Sequence, residues 1–504
     1  MDISPFPNDY RGSGVLLHVT SLPTPYGIGD LGPTARTWID RLADAGQSVW
    51  QVLPLGPSGG SNSPYQLVST FAGNEYLISP DQLVADGLIQ SSKCGGYSFP
   101  AELVDYETVK RYKDQLHEQA WQCFMTNAPA GMRDAFECFC REEAEWLDEY
   151  GLFVSLQHCL GHESFLDWPR AFATRDPRTL ADARRDLAER IDRVRFGQFL
   201  VFRQMTQMRA WANSKGLQLI GDMPFYAALN SCDVWANPEF FLLGAHFRPT
   251  AVAGVPPDYF SPLGQLWGNP IYNWKTMRET GYGWWIRRFR ALLKSVDVVR
   301  LDHFRAFAAA WHIPANAKSA IEGEWLPGPG AEFFQTTRHE FGGLPFLAED
   351  LGMITPDVTA LMNQFQLTGM RVLQFAFDGD PDNPFLPQNF IHNTVAYSAT
   401  HDNNTTRGWY EELNVKQRQL VWHGLNQAEL KSIAVAPELI RHVWQSKAAL
   451  AMAPFQDVLN LGAEHRMNTP GKAEGNWRWR CTAEMLDPSN FVRLRALTSA
   501  TGRC

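Results

Sequence analysis

Residues 296–304 have the sequence VDVVRLDHF, a short apolar run that ends in charged side chains. Buried strands of a parallel sheet have this pattern, because both of their faces are covered and their functional groups lie at the carboxyl end. The pattern recurs in seven further stretches: GVLLHV (14–19), SVWQVLPLG (48–56), LQLIGDMP (217–224), PFLAEDLG (345–352), MRVLQFAFD (370–378), TVAYSATHDN (394–403) and PFQDVLNLGAE (454–464). Eight such strands are the number that closes a TIM barrel.

Helical patterns lie between several of these runs. In WWIRRFRALLKS (284–295), four apolar residues share one helical face: Trp285, Phe289, Leu292 and Leu293. The alternation predicts an α/β fold, a (β/α)8 TIM barrel that spans residues 1–504 as a single unit.

Two long intervals interrupt the alternation. Residues 57–215 are rich in charged helical segments, and residues 225–283 are rich in Pro, Gly and aromatic residues. We assign the first interval to large inserted, mainly helical subdomains. We assign the second to an aromatic loop region over the carboxyl-terminal face of the barrel, where TIM-barrel active sites are built.

Composition restricts the partners and the location of the chain. Its 504 residues are 45% hydrophobic and 20% charged, which is sufficient for a large core. The net charge is -9 and the motifs contain no basic patch, which argues against a nucleic-acid partner. The first residues lack the pattern of a signal peptide and no 18 apolar residues are consecutive. We therefore expect a cytoplasmic protein that has no membrane partner.

Arg300 and Asp302 lie two residues apart, so both side chains point to the same face of their strand. A guanidinium next to a carboxylate lowers the pKa of the carboxylate. Asp302 is therefore expected to be ionised at neutral pH and available as a nucleophile. A salt bridge at the barrel rim without a catalytic part would give the same spacing.

Glu349 and Asp350 are adjacent, so only one of them faces the barrel axis if the strand is regular. Glu349 is longer by one methylene and follows an apolar run, and burial raises the pKa of a carboxyl group. These properties favour a proton-donor role for Glu349. A carboxylate that merely completes the barrel rim is the alternative.

Asp222, His401 and Asp402 lie at the ends of two further runs, and together with Asp302 and Glu349 they place four carboxylates at the ends of four strands. Stability alone does not explain such convergence at the carboxyl-terminal face of a barrel. Glycoside chemistry needs one carboxylate that attacks the anomeric carbon and one carboxyl that protonates the leaving oxygen. His401 and Asp402 are then expected to hold the hydroxyls of the distorted sugar.

A metal-dependent hydrolase is the rival interpretation of the same barrel mouth. Its ligands would come from His18, Asp222, His303, His401 and Asp402. However, His18 stands alone where metal-binding barrels generally have a paired HxH motif, and His303 is expected to face away from Asp302. The eight cysteines have neither zinc-site nor disulfide spacing, so we expect reduced, mostly buried thiols and no metal.

A series of longer segments carries a resemblance to a known family. These segments are RGSGVLLHVTSLPTPYGIGDLG (11–32), SPYQLVSTFAGNEYLISP (63–80), GDMPFY (221–226), VWANPEFF (234–241), VAGVPPDYFSPLGQLWGNPIYNW (252–274), VRLDHFRAF (299–307), LAEDLG (347–352), ATHDNNTTRGW (399–409) and RMNTPGKAEGNWRWR (466–480). In this order they closely resemble the 4-α-glucanotransferases, the amylomaltase or disproportionating-enzyme family of the α-amylase superfamily.

The resemblance implies a role for individual residues. It makes Asp302 the nucleophile, Glu349 the general acid/base and Asp402 the stabiliser of the transition state. The substrate-binding residues that it implies are Tyr65, Asp222, Arg300, His401, Ser63, Gln265 and Trp267. Among these, Arg300 steadies the nucleophile and Tyr65 stacks under the sugar, while Gln265 and Trp267 lie on a flexible loop over the cleft.

The resemblance also implies the reaction, that of a glycosyltransferase of the hexosyltransferase type. A segment of an α-1,4-glucan passes through a covalent glycosyl-aspartate to the 4-hydroxyl of another glucan or of glucose, without a cofactor and with retained configuration. The donors and acceptors are α-1,4-glucans and maltooligosaccharides. A hydrolase with the same carboxylates and a non-catalytic glucan-binding protein are the alternatives, whereas a debranching enzyme would need a second active site. The residues leave the preferred chain length and the oligomeric state open.

Overall fold

A closed barrel of eight parallel strands forms the centre of the fold, which a computed structural model describes for residues 5–257 and 262–503. Within these ranges the strands are β1 (Gly12–Leu16), β2 (Val49–Gln51), β3 (Gln218–Met223), β4 (Ala251–Val255), β5 (Gln265–Pro270), β6 (Val298–Leu301), β7 (Ala309–Pro314), β8 (Glu324–Pro327), β9 (Phe346–Ala348), β10 (Gly369–Val372), β11 (Thr394–Tyr397) and β12 (Leu450–Pro454). The barrel order is β1, β2, β3, β6, β9, β10, β11, β12.

Two contacts close the ring of strands. β12 pairs in parallel with β1, from Gly12 opposite Leu450 to Leu16 opposite Pro454. On the other side, the Ala348 N–H at the end of β9 donates to the Thr368 carbonyl at 2.8 Å, next to the start of β10. The predicted TIM barrel is confirmed.

The prediction for the eighth strand is wrong. The last barrel strand is β12, with the sequence LAMAP, and residues 455–458 of the predicted run form a helix instead. Pro454 has no N–H for a strand ladder, but its backbone angles suit the start of a helix. In addition, the buried Asp457 carboxylate accepts hydrogen bonds from Ser398 and Thr406, which holds the helical turn against the barrel.

The α-helices of the described ranges surround the barrel and fill the first insertion. They are α1 (Pro33–Asp44), α2 (Pro80–Ala85), α3 (Tyr106–Asn127), α4 (Met132–Glu142), α5 (Ala144–Leu160), α6 (Arg170–Ala173), α7 (Pro177–Asp186), α8 (Ala188–Ser214), α9 (Cys232–Ala236), α10 (Trp274–Glu279), α11 (Gly283–Leu293), α12 (Gly330–Phe341), α13 (Pro356–Phe365), α14 (Thr406–Glu412), α15 (Val415–Gly424), α16 (Ser432–Gln445), α17 (Phe455–Val458) and α18 (Val492–Ala500). The amphipathic pattern of 284–295 is helix α11, which buries Trp285 and Phe289 completely.

The interval 57–215 contains helices α2 to α8, whereas the interval 225–283 is only partly loop. Its strands β4 and β5 join β7 and β8, from beyond the interval, in a second, antiparallel sheet of order β5, β4, β7, β8. This sheet was not predicted. Residues 258–261 of the second interval lie outside the described ranges, and the bounds of both insertions stay a prediction.

The barrel seam between β1 and β12 is tied by a buried arginine. Arg503, completely buried, donates to the carbonyls of Gly12 and Ser446, both at 2.8 Å, and of Ala448 at 3.0 Å. Burial lowers the pKa of Arg503 to about 9. These bonds connect the chain after α18 to the first strand and to the loop that precedes the last strand.

Two further features of the described chain are the polarity of its helices and the burial of its cysteines. No helix of the described ranges is long and apolar enough to cross a membrane. The expectation of mostly buried thiols is wrong, because among the described cysteines Cys232 and Cys481 are buried, whereas Cys159 is exposed and the others are partly exposed. Cys138 and Cys140 lie on helix α4, which buries few of its side chains.

Candidate active site

The ends of four barrel strands bring together the residues selected from the sequence. Asp222 belongs to β3, Asp302 directly follows β6, Glu349 directly follows β9, and Asp402 lies beyond β11. Parallel strands end at the same face of a barrel, so these carboxylates share the carboxyl-terminal face.

Arg300 is the centre of the polar network. Its Nη1 atom donates to both carboxylate oxygens of Asp222, at 2.8 and 2.7 Å, and to Oδ1 of Asp302 at 3.0 Å. Burial lowers the pKa of Arg300, but the carboxylates of Asp222 and Asp302 outweigh burial and raise the pKa overall. The arginine therefore stays charged and holds Asp302 in one orientation.

Tyr65 and His401 extend this network. The Tyr65 hydroxyl donates to Oδ2 of Asp222 at 2.7 Å and lies 2.8 Å from Nε2 of His401. The two rings are nearly parallel, with centroids 5.4 Å apart. Burial lowers the pKa of His401. The imidazole is therefore neutral, which agrees with a hydrogen-bonding role rather than a cationic one.

Asp302 and Glu349 are both shifted towards the protonated state. Burial is the largest influence on each carboxyl and raises its pKa, whereas Arg300 lowers both values. Asp222 and Asp402 also raise the pKa of Asp302, and Asp302 raises that of Glu349. The expectation that Arg300 lowers the pKa of Asp302 below its ordinary value is therefore wrong, because burial outweighs the arginine and raises that pKa to about 7. Direct contact with Arg300 favours the ionised form of Asp302, so Glu349 is the group that keeps its proton to higher pH.

The backbone N–H of His303, the residue after Asp302, bonds to Glu349. His303 has a left-handed conformation, with φ 49°, and its N–H donates to Oε2 of Glu349 at 2.9 Å. The Leu351 N–H donates to the other oxygen of Glu349 at 2.8 Å. Asp350 points elsewhere, to the Met370 N–H and to the Arg371 guanidinium, as expected from strand alternation.

Asp402 is held by residues to which the sequence pattern assigned no role. Nδ2 of Asn468 donates to Oδ1 of Asp402 at 2.6 Å, and Arg466 donates to the Asp402 carbonyl at 2.7 Å. The Trp477 ring lies 5.7 Å from that of Tyr65. The segment RMNTPGKAEGNWRWR contains all three of these residues, and its Gly, Pro and aromatic content was the available signal.

The antiparallel sheet brings β5 to the same place, so Gln265 and Trp267 lie on a strand and not on the predicted loop. Trp267 on β5 packs edge-on against His303, with ring centroids 4.8 Å apart, and its Nε1 donates to Oε1 of Gln265 at 3.1 Å. Ser63 lies in the turn before Tyr65, where its Oγ accepts the Tyr65 N–H at 3.3 Å. These side chains are partly exposed.

The rival metal interpretation needs several donors that converge on one point. Across the described residues, no three or more His, Cys, Asp and Glu side chains are placed to hold a metal ion. The Asp222 carboxylate already accepts hydrogen bonds from Arg300 and Tyr65. His303 is another of the candidate ligands, and its Nε2 atom is buried without a hydrogen-bond partner.

Comparison with known proteins gives the same family as the residues. A family model described as 4-alpha-glucanotransferase matches residues 17–486. The chain belongs to the 4-alpha-glucanotransferase family. It is therefore an enzyme of the glycosyltransferase type, and it shares 46% identity over 98% of both chains with a 4-alpha-glucanotransferase of Synechocystis. A Thermus thermophilus 4-alpha-glucanotransferase is 45% identical, over 98% of this chain and 99% of the relative.

A solved structure supports the family at the level of the fold. The amylomaltase of Streptococcus agalactiae, solved in complex with acarbose, superposes with a TM-score of 0.94 at 35% identity, over 98% of this chain and 99% of the other. The amylomaltase of Corynebacterium glutamicum has a TM-score of 0.80 at 17% identity, over 98% of this chain and 75% of the other, and shows the fold alone.

Proposed function

We propose that this site transfers a segment of an α-1,4-glucan to the 4-hydroxyl of a second glucan or of glucose, with retained configuration. The observation that carries the proposal is the arrangement of two unlike carboxyls. Asp302 is fixed by Arg300 while 28% of its side chain stays exposed to the cleft. Glu349 is held by two backbone N–H groups and kept protonated by burial.

In the first step an Asp302 oxygen forms a bond to the anomeric carbon of the donor sugar. The glycosidic bond breaks, and the Glu349 proton passes to the leaving oxygen. Each Glu349 oxygen uses one lone pair for a backbone N–H, so the second lone pair is available to carry that proton. The result is a glycosyl ester on Asp302.

In the second step the 4-hydroxyl of an acceptor glucan attacks the same carbon. The ester bond to Asp302 breaks, and the hydroxyl proton returns to the Glu349 carboxylate. Two displacements at one carbon restore the original configuration. Asp402, whose side chain is 48% exposed, is positioned by Asn468 to bind sugar hydroxyls and to stabilise the transition state.

The other residues bind the sugars. We assign Asp222, His401 and Tyr65 to the sugar at the cleavage point, because one hydrogen-bonded chain joins them to the Arg300 that holds Asp302. Acarbose in the Streptococcus agalactiae amylomaltase supports maltooligosaccharide-like ligands for this site. We assign Ser63, Gln265 and Trp267 to donor and acceptor contacts.

Incubation with maltotriose tests the activity directly. The purified protein should convert maltotriose, without metal or nucleotide, into glucose and a series of longer maltooligosaccharides, separated by chromatography. Glucose and maltose without longer products would mean a hydrolase. Unchanged maltotriose would support a non-catalytic glucan-binding protein.

Trp267→Ala should increase hydrolysis relative to transfer. The indole lies against His303, next to the nucleophile, so its removal exposes the glycosyl ester to water. The ratio of reducing ends released to longer products formed should rise severalfold. Trp211→Ala is the matched control, because Trp211 lies on α8 and bonds to Asp40, away from these residues. An unchanged ratio in Trp267→Ala would contradict the assignment.

The plot of kcat/KM against pH should be bell-shaped. Its two limbs should lie at higher pH than they would if Asp302 and Glu349 had their ordinary pKa values. Below the rising limb Asp302 is protonated and does not attack; above the falling limb Glu349 has lost the proton that the leaving group needs. Burial raises both pKa values, so both limbs move upward. Initial rates with maltotriose at low concentration, from about pH 4 to about pH 10, give the profile. A falling limb near the ordinary pKa of Glu would contradict the proton-donor assignment.

A further inference from the structure

A small recess beside His401 is lined by residues from the ends of β1 and β12 and from the segment after β11. Its lining includes Leu16, His18, Ala399, Asn404 and Gln456, and we call it the His401 chamber. The cavity volume left for water is about 20 Å3. About 10–15 Å3 suffices for one water molecule, so the chamber has room for one.

Three buried polar atoms of the chamber lining have no hydrogen-bond partner. They are Nδ1 of His18, Nδ1 of His401 and Oδ1 of Asn404. The exposed fractions of these residues are 8%, 7% and 7%, so solvent does not supply the missing partners. Buried polar groups in folded proteins are almost always paired, with protein or with an ordered water. Three unpaired atoms around one small cavity therefore indicate a shared ligand.

The hydrogen bonds at Nε2 of His401 favour one tautomer of the ring. The Tyr65 hydroxyl gives its only hydrogen to the Asp222 carboxylate. Its oxygen therefore accepts from His401, and the 2.8 Å contact is an Nε2–H donor bond. A neutral imidazole with hydrogen on Nε2 has a lone pair on Nδ1. That lone pair has no hydrogen-bond partner and needs a donor.

Neither His18 nor Asn404 meets this need for both unpaired acceptors. Asn404 Nδ2 already donates to Glu412 at 2.8 Å, and its unpaired Oδ1 is an acceptor. His18 is able to donate from Nδ1, but one donor does not serve two acceptors. A water molecule supplies two hydrogens and accepts a third bond, which matches the usual three bonds of a buried water.

We propose that one ordered water in the His401 chamber donates to Nδ1 of His401 and to Oδ1 of Asn404, and accepts from Nδ1–H of His18. The water stabilises the Nε2–H tautomer of His401, and through it the hydrogen bond from His401 to Tyr65. His18 and Asn404 are thereby positioning residues for the sugar pocket. This role rests on the proposed function, whereas the water and the tautomer do not depend on it.

Two measurements on the unliganded protein test the site itself. A crystal structure should show density for one water within hydrogen-bond distance of the three atoms. Nitrogen-15 NMR of the histidine-labelled full chain, with the His401 signals assigned by comparison with His401→Gln, should show hydrogen on Nε2 and none on Nδ1. A dry chamber, or an Nδ1–H form of His401, would overturn the proposal. Neither measurement requires that Asp302 or Glu349 act as proposed.

A pair of variants tests the positioning role. His18→Leu removes the donor to the water, so a second His401 tautomer should appear and kcat/KM for maltotriose should fall about 10-fold, the effect of one buried hydrogen bond left unmade. His18→Asn places an amide N–H close to the position of Nδ1–H and should keep both the single tautomer and the wild-type kcat/KM. An equal loss in both variants with an unchanged tautomer would show a packing effect and overturn the proposal. Wild-type behaviour of His18→Leu would do the same.

Discussion

Asp302→Asn is expected to abolish transfer while the protein stays folded. The carboxamide keeps the shape of the side chain and its contact with Arg300, but it has no charged oxygen to attack the anomeric carbon. Transfer from maltotriose should fall by a factor on the order of 10⁴ or more. Arg300 keeps both bonds to Asp222, so the network under the site remains.

The same variant has an expected signature in stability. Because burial raises the pKa of Asp302 in the folded state, its charge destabilises the fold once the pH exceeds the pKa of the unfolded chain. Asp302→Asn should therefore raise the Tm at about pH 8 and leave it unchanged at about pH 3 or below, where the carboxyl is protonated in both states. Asp382→Asn, the same substitution at an exposed position, is the matched control. Near-wild-type turnover in folded Asp302→Asn would remove the nucleophile assignment.

Glu349→Gln should reduce transfer from maltotriose by about 10² to 10⁴-fold, the usual contribution of a general acid. The amide has no proton to give to the leaving oxygen. A glycosyl fluoride donor needs little protonation, so its first step should recover in the variant.

The fluoride experiment separates the two steps. Glu349→Gln should release a burst of fluoride equal to the enzyme concentration and then slow down, because no base activates the acceptor hydroxyl. The double variant with Asp302→Asn should give no burst. A folded Glu349→Gln protein without a burst would count against the acid role.

The barrel could be predicted because each buried apolar run was expected to end in polar or charged residues. Near β12 this signal failed: LAMAP ends at Pro454 without a charged residue, while the following PFQD has the expected ending although it is a helical turn. The antiparallel sheet was missed for another reason. Its strands β4 and β5 lie in a Pro- and Gly-rich stretch, and their partners β7 and β8 come after β6, so no local pattern connects them.

Prediction of the site has the same limit, because a local sequence pattern does not connect residues that are far apart in the chain. Spacing alone placed Arg300 beside Asp302, because two residues of one strand are a local relation. The hydrogen bond from Asn468 to Asp402 joins residues far apart in the sequence, and local spacing does not contain it. Burial of Asp302 and Glu349 comes from the assembled barrel mouth, so the size of its effect on their pKa values was also invisible in the sequence.

The seam between β1 and β12 has a consequence for biosynthesis. β1 is made early, but its parallel neighbour on one side is the last strand of the barrel. During translation the nascent chain therefore carries an open edge at β1, which is a template for pairing with other chains. A chaperone that covers that edge until β12 leaves the ribosome should increase the yield of active enzyme, and a ribosome stalled before residue 450 should display a protease-sensitive, incomplete barrel.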